Sequence, residues 1–150
     1  LTQQLFFVFL HFFLALGSQL VYYVFMNDKK DKVTLPSFDD LDFKPHAHVD
    51  NGIQARLKFG HKDRFEISVV SMKDSKPSLG GLYGDASNDT YEVAMFHYDK
   101  MLPLAKYDDV LGWQTPDQIT KLMHQAILND FAWVTLLYEI KNDYAENLNH

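Results

Sequence analysis

Apolar and polar residues alternate twice in the middle of the chain, and both runs are bounded by turn formers. After Asp50-Asn51-Gly52, which reads as a turn, Ile53, Ala55, Leu57 and Phe59 alternate with Gln54, Arg56 and Lys58. That is the period of a half-buried strand. Gly60 to Asp63 then suits a hairpin loop, and Phe65, Ile67 and Val69 alternate with Glu66, Ser68 and Val70 in a second strand whose outer face is less polar. The two strands are expected to pair antiparallel. Thr90 to Tyr98 is apolar on both faces, with Tyr91, Val93 and Met95 opposing Ala94, Phe96 and Tyr98, as in a central strand covered by a helix. Asp99-Lys100 permits a tight return into a last strand at Met101 to Ala105, placed at an edge because Pro103 has no N–H to donate.

A different period takes over at Thr115. This residue is suited to N-cap a helix, Pro116 to open it, Asp117 to meet the positive end of its dipole, and Gln118 to complete a capping box. Ile119, Leu122, Met123, Ala126 and Ile127 follow at helical spacing and form one apolar stripe that must lie on the sheet. Beyond Leu128, FAWVTLLYEI fits a strand by composition and a helix by length. A second helix over Asp130 to Tyr144 is favoured, with Asp130 as its N-cap and Phe131, Val134, Leu137, Tyr138 and Lys141 at helical spacing. The expected fold is therefore α+β: a four-stranded antiparallel meander with one or two C-terminal helices on one face. An apolar N-terminal helix would precede it.

That N-terminal segment divides the chain into residues 1–26, an extended arm at 27–51, and the α+β domain at 52–150. From Leu1 to Asn27 there is no Asp, Glu, Lys or Arg, and Leu5 to Met26 is nearly all apolar. About 20 such residues suffice to span a bilayer. Lys29, Lys30 and Lys32 would then hold the domain on the cytoplasmic side. Competing readings are translation of an upstream stretch, with Met26 as the natural start, and a signal peptide, which lacks its usual positive beginning. The arm that follows has no regular period; Leu35, Phe38, Leu41 and Phe43 are its candidate apolar anchors, and Pro36 and Pro45 punctuate it.

Composition narrows the function classes. At 150 residues, 47% hydrophobic, the chain has the length and apolar content of one packed domain. Its formal charge of -6, with mixed signs, argues against phosphate-driven nucleic-acid binding. With no cysteine, disulfides, thiolate metal sites and cysteine nucleophiles are excluded.

Candidate chemistry is sparse. His46, His48 and Asp50 alternate along an extended segment and so point the same way, and His61 in the hairpin loop would complete a divalent-metal site. This is the basis of a metal-dependent hydrolase reading, set against an exposed loop between Pro45 and Gly52. Asp108 and Asp109, with His97 or Glu92, would form an acid–base group, but neighbouring strand residues face opposite ways, and turning the chain is the simpler role. Between Lys73 and Asp89 the long Gly-rich connection lacks the Lys-Ser/Thr pair of a phosphate-binding loop, so Leu82 and Tyr83 are expected to dock on the sheet instead. Trp113, just before the helix cap, is expected to act as a hydrophobic staple; left exposed, it would mark a binding surface.

The strand ending SVVSM, the Gly81-Leu82-Tyr83 segment, TYEVAMF and DDVLGWQTPDQI together resemble a group of small uncharacterised proteins encoded by tailed bacteriophages. The resemblance covers roughly Gly52 to Ala126; the loop at Asp85 to Asp89, the apolar N-terminus and the segment after Ala126 depart from it. It implies a phage or phage-derived origin in a bacterial host and carries over no activity and no site residues. The combined expectation is a non-catalytic interaction module without a cofactor, cytoplasmic or anchored at the inner membrane through residues 5–26. Its partner is expected to be a protein rather than nucleic acid, and Tyr83, Trp113, Asp108 and Asp109 are its candidate binding residues.

Overall fold

The structure, a computed structural model, describes residues 34–74 and 82–147. The expectations about residues 1–26 lie outside the described residues. Among the described residues no helix is long and apolar enough to cross a membrane.

The fold is α+β, an antiparallel sheet with one C-terminal helix. Its strands are β1 (Lys44–Pro45), β2 (Gly52–Phe59), β3 (Phe65–Met72), β4 (Tyr91–His97), β5 (Lys100–Met101) and β6 (Val110–Gln114). The order is β1-β2-β3-β4, and β5 and β6 lie end to end along the outer edge of β4. The two predicted hairpin strands pair over their full length, from Gly52 opposite Met72 to Phe59 opposite Phe65.

The expected four strands are thus six, and the difference has two causes. The last meander strand is expected at Met101 to Ala105, but only Lys100–Met101 pairs. Leu102 donates its N–H to the Met95 carbonyl, 2.8 Å, and then turns fully into the core, while Pro103 has no N–H with which to extend the ladder. The vacated length of edge is taken by β6, from the residues between Asp109 and the helix cap Thr115. The sixth strand, β1, comes from the arm.

That arm is part of the core. Leu41 is buried, and Phe38 and Phe43 pack against each other and against Tyr91, with ring centroids 4.9 to 5.6 Å apart. The Phe38 N–H donates to the Thr120 hydroxyl, 2.9 Å, and the His124 ring Nε2 lies 2.9 Å from the Pro36 carbonyl oxygen. Leu35, also expected to anchor, is exposed. Tertiary contact with the helix, not local propensity, orders this segment.

The helix α1 spans Pro116–Asn147 and opens with the expected capping box: the Thr115 N–H donates to Gln118 Oε1, 2.9 Å, and the Gln118 N–H to Thr115 Oγ1, 3.4 Å. Ile119, Met123 and Ala126 are fully buried against the sheet residues Ala55, Phe65, Ile67, Val69, Val93 and Met95 of the same core, with Leu122 half-buried. The expected second helix is the continuation of α1 across a kink at Asp130, whose φ of 39° and ψ of −119° interrupt the helical path. Asp130 is therefore not an N-cap after a loop. The buried face keeps its helical spacing across the kink, Ala126 and Ile127 being followed two turns on by Trp133 and Val134, while Phe131, expected on the stripe, is exposed.

Candidate functional site

β6 is bulged. Tyr91 faces Gln114 and Val93 faces Leu111, so Gly112 and Trp113 both stand opposite Glu92. Trp113 takes a left-handed backbone conformation, φ 58°, and Gln114 Nε2 donates to the Gly112 carbonyl across it, 2.8 Å. This conformation turns Trp113 outward, leaving it 59% exposed, and the expected staple against the helix is not formed. Its exposure corresponds to the binding-surface alternative.

Tyr83 lies against the same bulge. The Trp113 N–H donates to the Tyr83 carbonyl, 2.7 Å, and the Tyr83 N–H donates to Glu92 Oε2, 2.9 Å. A Cβ on Gly112 would stand 2.7 Å from Tyr83 Cβ, so only glycine admits this approach. The Tyr83 backbone docks on the sheet while its side chain, 54% exposed, does not. Two exposed aromatic residues, thirty positions apart in sequence, are thus joined by one backbone hydrogen bond.

The other candidate residues separate. Asp108 Oδ1 accepts the N–H groups of Asp109, 2.7 Å, and Val110, 3.3 Å, which is the work of a turn. Asp109 forms an ion pair with Lys141 of α1. Glu92 accepts the Tyr83 N–H. His46 Nδ1 accepts the N–H groups of His48 and Val49, both at 3.1 Å, which closes the turn into β2. His46 and Asp50 share a surface pocket of about 470 Å³ with Lys44, Asn51 and Lys73. His61 lies past the far end of β2, a strand that spans about 23 Å at roughly 3.3 Å per residue. Among the described residues, no three His, Asp or Glu side chains converge on a metal position, and the expected set of His46, His48, Asp50 and His61 is not brought together.

One group was not visible in the sequence. Arg64 and Asp130 form an ion pair, 2.7 Å, with both side chains only 23% exposed. The second Asp130 oxygen, Oδ1, is buried and accepts no hydrogen bond from the described residues. His97 lies near this pair, its ring 5.0 Å from that of Phe65 and 4.6 Å from that of Tyr98. Burial lowers the His97 pKa, against an upward pull from Asp130 and with a further downward push from Arg64. A histidine with a depressed folded-state pKa contributes stability that is present above its unfolded pKa and is lost as pH falls through the folded value. Stability should therefore decline below about pH 6.5, the ordinary histidine pKa. His97→Gln should flatten that part of a urea-denaturation series; an unchanged decline would place its origin elsewhere.

No protein-family model matches the chain, and no curated protein or solved structure matches it.

Proposed function

We propose that the protein is a non-catalytic interaction module whose docking surface is the corner formed by Trp113 and Tyr83. The observation that carries this reading is the outward Trp113 on its bulge, locked to the Tyr83 backbone. A large, rigid, solvent-facing aromatic side chain loses little conformational freedom on binding, and Trp and Tyr are the residues that most often dominate a protein interface. Glu92 supports this corner from beneath through the Tyr83 N–H. A protein partner in a bacterial host suits the phage resemblance of the central segment, with the domain in the cytoplasm or held at the inner membrane by residues 5–26. Neither a cofactor nor a substrate is part of this proposal.

The two tryptophans give a direct test. Trp133 is buried and Trp113 exposed, so Trp133→Phe isolates the emission of Trp113. With a host protein retained by the immobilised wild type, that emission should shift to the blue on binding. Trp113→Ala should weaken the complex by about 2 kcal/mol, roughly 30-fold, with the urea midpoint unchanged. Gly112→Ala should weaken it as well by pushing Tyr83 away. Retention of the same protein at equal affinity by Trp113→Ala would refute the assignment of this surface.

A further inference from the structure

The two edges of the sheet are finished differently. At the β6 edge, the Trp113 N–H is taken by Tyr83. At the other edge, β1 covers only Ile53 and Gln54 of β2, and from Ala55 to Phe59 no described strand lies beside it. The His46 N–H donates to the Gly52 carbonyl along this side, 2.8 Å. Strand alternation then turns the N–H and C=O groups of Arg56 and Lys58 outward to the same side, where they form no backbone hydrogen bond with the described residues. An open edge of this kind is a template for another strand.

The side chains on it select what can pair. Arg56 and Lys58 are 55% and 59% exposed on the sheet face away from α1, and both share one carboxylate, Glu66, which is only 14% exposed. Arg56 is further held over the Phe96 ring, 5.8 Å from its centroid. Two cations on one carboxylate leave the edge positive on a chain whose overall charge is negative. A second copy pairing antiparallel about Leu57 would set Arg56 against Lys58, and like charges directly opposite destabilise a ladder. An incoming strand with carboxylates at those positions gains instead, and its intervening residue, opposite half-buried Leu57, faces the apolar side.

The geometry points to the open edge of β2 as a strand-addition site for an extended acidic peptide in which acidic and apolar residues alternate. It is built from residues other than the Trp113 corner, so either surface stands if the other fails.

Blocked seven-residue peptides alternating Glu with Val, or Lys with Val, supply the probe. The Glu peptide should bind at least 10-fold tighter than the Lys peptide, weaken as salt is raised, and slow hydrogen exchange of the Arg56 and Lys58 amides. Arg56→Glu with Lys58→Glu should invert the preference. Because that variant faces Glu66 with like charge, Arg56→Gln with Lys58→Gln serves as a milder second variant that should erase the preference without inverting it. Equal affinity for the two peptides, or binding that leaves both amides unprotected, would overturn the proposal, as would no binding of the Glu peptide at low salt.

Discussion

Met123→Ala should lower the unfolding free energy by about 2–5 kcal/mol, the range for removing a large unbranched or branched apolar side chain from a packed core. Met123 is fully buried between the first half of α1 and the sheet, where its neighbours in the core include Phe65, Ile67, Val93 and Met95. A domain of this size is stable by about 5–15 kcal/mol, so the loss is a large share of the total. Met123→Leu conserves volume and should cost less than about 1.5 kcal/mol. Leu122→Ala, at a half-buried position one residue away, should fall between Met123→Ala and the exposed control Lys121→Ala. Urea denaturation orders the four variants. A Met123→Ala midpoint no lower than that of Lys121→Ala would mean that the helix does not rest on the sheet.

The second large effect is expected at the kink of α1. Arg64→Ala removes the cation that faces a partly buried carboxylate, one of whose oxygens accepts no hydrogen bond from the described residues. Leaving a fully buried charge without its partner costs about 3–5 kcal/mol, and the residual exposure of Asp130 reduces the expected loss to about 2 kcal/mol. Asp130 also holds a backbone conformation, φ 39° and ψ −119°, that glycine adopts without a Cβ clash. Asp130→Gly should therefore be more stable than Asp130→Ala by about 1 kcal/mol, although both lose the same ion pair. Equal stability of the two would remove strain from the account of the kink. Both sets of measurements should be made above pH 7, where the titration of His97 does not contribute.

Much of the fold could be read from local pattern. The alternation at Ile53 to Phe59 and Phe65 to Val69 specified a hairpin, because a slip of one residue would turn every apolar side chain of one strand into water. Thr115, Pro116 and Gln118 located the helix start, because capping is decided within one turn of chain. What misled was residue chemistry whose outcome depends on remote partners. Pro103 correctly indicated an edge but not how soon the strand would end; that followed from Leu102 finding a place in the core. Asp108 turns the chain as expected, yet the residues from Val110 to Gln114 pair with β4 because the edge beside Ala94 and Val93 is free to receive them.

The candidate site was legible as residues but not as an arrangement. Tyr83 and Trp113 are each conspicuous in the sequence for a separate reason, and nothing there joins them. Their proximity depends on the bulge opposite Glu92 and on the missing side chain of Gly112. The histidines show the converse. His46, His48 and Asp50 have the spacing of a metal site, but the turn uses His46 Nδ1 as an acceptor and the length of β2 keeps His61 away. Spacing along the chain reports which side chains share a face and not which backbone groups will claim them.

By itself, the amino-acid order determined the hairpin, the central strand and the capped helix with its apolar stripe, since each follows from interactions within a few residues or from one-sided burial. Only the tertiary structure decided the sixth strand from the arm, the division of the β4 edge, the Arg64–Asp130 pair and the meeting of Trp113 with Tyr83. The last two join positions 66 and 30 residues apart, the β4 edge depends on where Leu102 finds its place in the core, and β1 depends on the arm being tied to the helix at Phe38 and His124. Such contacts form only after the core has closed, and local propensity has no term that describes them.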